Sequence, residues 1–441
     1  MFNDERIINE RGIIFKKANL LAIFISIVFF VGRLLIYIHA GEGFKFFQFL
    51  TEISVILINS IIIIYGELAF ESNDKDERSI ALKNQYYSRM GKYLLYSIIL
   101  GFSLTIITFN FRLGNDFPPN YIIFVFEIAG LIFFYYQLKK QNISINYSFI
   151  DFSKKEYYKK VLVNIGQMSL VVLGIYVFCS FICLIIYQKL GYLLTFLIAG
   201  FISIISLGLG YLFLSFIEKI DYDQETENIK LSFIILAVIA IIILIVKGII
   251  SIKYYNLVSS IDSDSLNFPI GETLSKYINL IVSLDFQYVT IFGVALAYLI
   301  PHFKGKKIIN IAILLNLTLL CMKELVKFIQ KCLALFLMDT IETISIYSSI
   351  NQVVFYVLFA LDLGVFIFMI IGLIKEANYS KLMILFPIAK TVVFLFYIFM
   401  SMQNIIWNAE KLSMISSIVI TSLYILMLCL KKNKNQQVPS F

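Results

Sequence analysis

Twelve stretches of about twenty mostly apolar residues succeed one another along this chain, joined by connections too short to hold a soluble domain. A helix needs roughly 20 apolar residues to cross the hydrocarbon core of a bilayer, and that core offers no water to backbone groups left outside a helix. The pattern predicts an all-α integral membrane protein of about twelve transmembrane helices. The expected spans are 19–38, 49–70, 93–111, 120–137, 161–187, 191–217, 231–252, 279–300, 308–327, 352–374, 382–401 and 412–430. A hydrophobic content of 60% excludes both a disordered chain and a water-soluble enzyme.

The placement of charge sets the orientation. Of 37 Lys and Arg, 25 fall in segments on the side of the N-terminus, 7 in the opposite loops and 5 within spans. Positive charge is retained on the cytoplasmic side, so both termini are expected inside. The net charge of +8 therefore reads as topology and attraction to anionic headgroups, with the lipid bilayer and not nucleic acid as the partner. Abundant Ile, Phe, Lys and Asn with little Ala suggest an AT-rich bacterial genome, hence a multi-pass protein of the bacterial cell membrane. The first eighteen residues mix acidic with basic groups ahead of a full-length apolar run, which reads as a retained first span and not a cleaved signal.

Asp4-Glu5-Arg6 returns as Asp76-Glu77-Arg78. At the same 72-residue offset Ile8 meets Ile80, Arg11 meets Lys83, Phe15 meets Tyr87 and Lys17 meets Arg89. Because the offset also carries the first pair of spans onto the second, it predicts a tandem duplication of a charged pre-helix plus a hairpin, occupying 1–140. The pre-helices are expected along the cytoplasmic interface. A hairpin over 141–217, a C-terminal helical module over 218–430 and a basic tail over 431–441 complete the expected organisation. The loop from Lys253 to Lys276 is the longest external connection.

Charges inside spans carry the functional weight, because each costs several kcal/mol near the bilayer centre unless paired or hydrated. Lys247 and Asp285 sit at matching depths on spans seven and eight, and Asp362 and Lys390 sit near mid-membrane on spans ten and eleven. Two ion pairs between neighbouring helices are expected, serving either as clamps or as a substrate or proton pathway. Pro387 is expected to kink span eleven just before Lys390, as broken helices do beside midplane sites in transporters. On span nine, Lys323, Lys327 and Lys331 recur every fourth residue with Glu324 beside them. That stripe reads as lysines snorkelling to the outer headgroups or as a receptor for an anionic headgroup. Glu127 lies near the centre of span four with no cation at its depth, and reads as a buried neutral carboxyl. Arg33 and Glu52 are placed to pair across the first hairpin. Ala199, Ser203, Ser206 and Gly210 form a small-residue face on span six, expected to pack against another helix.

Cys179, Cys183, Cys321, Cys332 and Cys429 form no C-x-x-C pair and read as apolar packing residues. H-E-x-x-H, G-x-S-x-G and Walker A sequences are all missing, so no metal, cofactor or catalytic residue is expected, and nucleotide-driven work would require a partner ATPase or other membrane subunit. The charge cluster favours a permease, flippase or export-associated subunit for an amphipathic or anionic substrate. The alternative is a non-transporting accessory protein for immunity, sensing or assembly. A third is an intramembrane enzyme on a lipid-linked substrate, using Lys323, Lys327 and Asp362.

Overall fold

The computed structural model describes residues 5–39, 50–69, 79–90, 132–141, 143, 146, 149–187, 190–223, 231–259, 268–337, 341–402 and 406–429. Regular structure among the described residues is helical throughout, as a backbone without access to water requires. Arg6–Gly32, Leu231–Val258, Ser349–Ala377 and Lys381–Phe399 are long and apolar enough to cross a membrane. The chain separates into two compact units, Met1–Glu225 and Thr226–Phe441.

The first unit holds α1 (Glu5–His39), α2 (Leu50–Ala69), α3 (79–90), α4 (132–140), α5 (Lys154–Tyr187) and α6 (Leu190–Asp223). The expectation of a separate pre-helix is corrected here: the charged segment is continuous with the first span in one 35-residue helix. The reason is local, since the junction Phe15-Lys16-Lys17-Ala18 contains neither Gly nor Pro and good helix formers propagate through it. At 1.5 Å per residue α1 is about 50 Å long, well beyond the roughly 30 Å of a hydrocarbon core.

Helices α1 and α2 pack side by side, as do α5 and α6. The described α5–α6 contact uses glycines outside the expected small-residue face. Among the described residues a Cβ added at Gly210 would meet nothing within 4 Å, whereas one at Gly200 would lie 2.9 Å from Cγ of Tyr176 and one at Gly208 3.3 Å from Ile165. A buried tyrosine laid across a glycine brings these helices together, so the relevant positions are Gly200 and Gly208. The side chains of Ala199, Ser203 and Ser206 lie outside the described residues.

The outer surface is far more apolar than that of a water-soluble bundle. Leu170 and Ile185 are 71% and 74% exposed, while Asn19, Asn59 and Ser180 are buried. Apolar outer surfaces with polar groups turned inward are what a lipid surround selects.

The segment between α4 and α5 folds back onto α6 through a buried polar network. Lys139 on α4 meets Asp221 on α6 at 2.9 Å. Asn146 donates its backbone N–H to Glu218 at 3.0 Å and its side-chain amide to Tyr157 at 2.9 Å and Ser215 at 3.1 Å, and accepts from Tyr211 at 2.7 Å. Lys219 donates to the carbonyls of Ile150 and Phe152. Burial, reinforced by the nearby Glu218 carboxylate, pushes the Tyr157 phenol far above the ordinary tyrosine range.

The second unit holds α7 (Leu231–Ser259), α8 (Phe268–His302), α9 (Lys307–Leu337), α10 (Ile341–Ala377), a single 3-10 turn (Lys381–Ile384), α11 (Leu385–Met402) and α12 (Ile406–Cys429). Helix α7 lies between α8 and α12, α9 contacts α8 and α10, and α11 runs along α12 and touches α10. The expected external loop shrinks, because α7 continues to Ser259 and α8 already begins at Phe268. The core gathers around the second half of α8, where Val294 to Ile300 are all buried, and the start of α9, where Ile309 and Ile313 are buried. Glu376 caps α9, accepting the N–H groups of Ile308 and Ile309 at 3.1 and 3.2 Å, where a carboxylate also suits the positive end of the helix dipole. Asn378, at φ 54, turns the chain out of α10, and the Ser380 hydroxyl accepts the Leu382 N–H to start the turn into α11.

Candidate functional site: an ion cluster among α7 to α11

Five helices of the second unit bring five charged side chains inward. On α7, Gly248 faces α12, where a Cβ would lie 2.5 Å from Ile418. Its neighbour Lys247 is rotated away by about 100° and donates to Asp285 Oδ1 on α8 at 2.6 Å. On α10, Asp362 accepts Lys323 of α9 on Oδ1 and Lys390 of α11 on Oδ2. Lys247, Asp285, Lys323 and Asp362 all lie near the middle of their helices.

The two groups of charges are linked through α8. Tyr288, one turn beyond Asp285, lies within electrostatic reach of both Asp285 and Asp362 and stacks on Phe292 with centroids 5.5 Å apart. Aromatic rings bracket the carboxylate along α10. Phe359, three residues before Asp362, stacks on Phe394 of α11 at 3.5 Å. Phe366, four residues after it, packs edge-on against Tyr424 of α12 at 4.8 Å and receives the Lys390 ammonium 5.2 Å from its centroid. The five charged side chains are 22–30% exposed, so the cluster is enclosed without being sealed.

No protein-family model, curated protein or solved structure matches this chain. Its chemistry rests on its own residues.

The cluster departs from expectation in two respects. Lys323 does not snorkel to a headgroup region; its ammonium is held by Asp362, because a carboxylate within reach on the adjacent helix offers a stronger partner than a distant interface. Pro387 does not kink a span. It is the third residue of α11, in the first turn, where its missing N–H has no intrahelical acceptor to satisfy, so it helps start the helix that carries Lys390. Its carbonyl accepts the Thr391 hydroxyl at 2.8 Å.

Glu127 and the side chains of Arg33, Glu52, Glu324, Lys327 and Lys331 lie outside the described residues. Sequence depth alone brought Asp362 to Lys390 and Lys247 to Asp285. It missed Lys323 as a second cation on Asp362, although the i, i+4 lysine pattern had marked span nine. It also missed Tyr288, whose signal is the i, i+3 spacing from Asp285.

Two ammonium groups from different helices are thus oriented on one carboxylate, with Phe366 beside one of them. Loss of charge at Asp362 would release both lysines together, so the occupancy of one carboxylate is coupled to the position of two helices.

Proposed function

We propose that this chain is a twelve-span protein of the cell membrane with both termini cytoplasmic, acting as a permease, flippase or export-associated subunit for an amphipathic, anionic substrate. One observation carries this reading: Lys323 and Lys390, from two different helices, converge on Asp362 between aromatic rings while remaining partly exposed. Charges of this kind within membrane helices mark substrate or ion paths when they face water. A permease of this design exchanges Asp362 for the substrate's anionic group at the two lysines, and the rings hold its apolar part. With no ATP-binding sequence of its own, the chain takes its energy from an ion gradient or from a partner ATPase.

The accessory role is favoured by a different feature of the same cluster: each Asp362 oxygen already has a lysine, the arrangement of a helix clamp. The test is access to water. In a variant lacking the five native cysteines, Lys390→Cys and Lys323→Cys are introduced singly and exposed to a charged, membrane-impermeant thiol reagent in proteoliposomes. The transport reading requires both to react, and at rates that anionic phospholipid in the vesicle lowers. Two inert cysteines would leave a dry clamp and remove the reading.

A further inference from the structure

We infer that a local two-fold axis relates the described parts of the two repeats, α1 with α2 and α3 with α4, and that the surface of α1 near Gly12 is self-complementary: it fits its own counterpart, α3.

Three contacts carry this inference. The first is a contact of a residue with its own counterpart. At the 72-residue offset Gly12 corresponds to Asn84, and these two meet backbone to backbone, for a Cβ at Gly12 would fall 2.6 Å from the carbonyl carbon of Asn84 and 2.7 Å from its Cα. Such a self-contact arises at a two-fold axis or in a translational stack, and reciprocal exchange of contacts separates the two. The second and third contacts are mates. From the second copy, Tyr86 and Tyr87 reach into the first hairpin and donate to the carbonyls of Ile62 at 3.1 Å and Ile63 at 3.4 Å. From the first copy Phe15, the equivalent of Tyr87, packs at 5.0 Å on Phe134, the equivalent of Ile62. Phe15, Tyr87 and Phe134 are all fully buried. Each pre-helix thus packs on the other copy's second span, the exchange between helices that an isologous contact demands, with Tyr87 one residue out of the register of Phe15.

The axis runs along the two pre-helices. Asn84 donates to Asn9, Gly12 abuts Asn84, and the Lys16 ammonium lies 5.7 Å from the Tyr87 ring centroid, so contacts advance in the same direction on both helices. Parallel repeats are what a duplicated unit with an even number of spans produces. Symmetry breaks at one position. Glu67 collects Lys16, Lys83 and Tyr87 at the contact of the two copies, whereas its equivalent is Lys139, whose partner Asp221 comes from α6, outside the repeat. The second copy has turned that corner toward α6.

The decisive experiment exploits interchangeability. At a two-fold contact the small residue is required on one side, and either side serves; at an accidental contact the sides are not equivalent. Full-length protein is purified in detergent and the monodisperse fraction is followed on heating. Gly12→Asn should lower the midpoint by about 5 °C or more through overpacking. The exchanged variant, Gly12→Asn with Asn84→Gly, should return to within about 2 °C of the parent. A harmless Gly12→Asn, or an exchange no better than the single change, overturns the inference. A second measurement covers poor expression: in a cysteine-free background, Phe15→Cys with Phe134→Cys and Tyr87→Cys with Ile63→Cys should both be bridged by a short bis-maleimide. Bridging of one pair without the other rules out the axis.

Discussion

Lys323 on α9 donates to Oδ1 of Asp362 on α10, a contact that makes α9 part of the ion cluster and leaves the carboxylate with a different lysine on each oxygen. A binary Asp362–Lys390 pair could be erased by two neutral substitutions; a carboxylate between two lysines cannot.

The first prediction follows from that count. Asp362→Asn strands two ammonium groups and should cost roughly 1–3 kcal/mol, all three side chains being partly exposed. Adding Lys390→Met relieves one of them and should recover only part of the loss. Adding Lys323→Met as well should bring the thermal midpoint of the detergent-purified protein close to the parent. Full recovery in the double variant would remove Lys323 from the cluster.

The Lys247–Asp285 pair is expected to behave as a bridge between α7 and α8. Lys247→Met and Asp285→Leu should each destabilise, by roughly 1–3 kcal/mol given that both side chains are partly exposed. Their combination should be less damaging than the sum. A double-mutant cycle with no coupling would show that the 2.6 Å contact contributes nothing.

Apolar run length made the helices legible, since expected and observed bounds agree within a residue or two at the ends of α2 and α6 that face the hairpin loops and at the start of α7. Where helices overrun, as α7, α8 and α10 do, polar residues such as Tyr254, Tyr255 and Glu272 continue a helix beyond the point where hydropathy stops signalling it. Depth matching found charged neighbours because position along a membrane helix is nearly linear in residue number. It had no information on rotation about the helix axis, which decides that Lys323 turns to Asp362. The network around Asn146 was invisible for a related reason: its members Asn146, Tyr157, Tyr211 and Glu218 come from a turn and two helices, with no periodicity joining them.

Alkaline sensitivity is expected from Tyr157. Burial first, and the Glu218 carboxylate second, raise its folded-state pKa above the ordinary value of about 10. Above that value the unfolded chain loses the proton while the folded chain keeps it, so stability is fully present below about pH 10 and falls as pH rises further. Tyr157→Phe should flatten this alkaline decline. It should also lower stability at neutral pH, because the hydroxyl donates to the Ser215 carbonyl at 2.9 Å and accepts from Asn146. An unchanged slope between pH 9 and 11 would point to other titrating groups.

Lys139 and Asp221 test the same base of the first unit from its ionic side. Both are buried, so Lys139→Met alone takes the ammonium away from a buried carboxylate and should cost up to about 3–5 kcal/mol. Adding Asp221→Leu should recover most of it, measured as recovery of the thermal midpoint. If the single variant is as stable as the parent, the contact is not a buried ion pair in solution.

Two glycines of α6 make the sharpest contrast. Gly200 lies under Tyr176, with a Cβ placed there 2.9 Å from the ring's Cγ, whereas none of the described residues comes within 4 Å at Gly210. Gly200→Leu has to push α5 away or move a fully buried tyrosine, and should lose about 1–3 kcal/mol or more. Gly210→Leu enters open space in the same helix and should be neutral or stabilising by up to about 1 kcal/mol, since leucine is the better helix former. Both effects are read from the same heating curve. Equal sensitivity at the two positions would mean that a neighbour covers Gly210 in the membrane, and Gly210→Cys cross-linking between copies of the chain would then identify that neighbour as a second protomer.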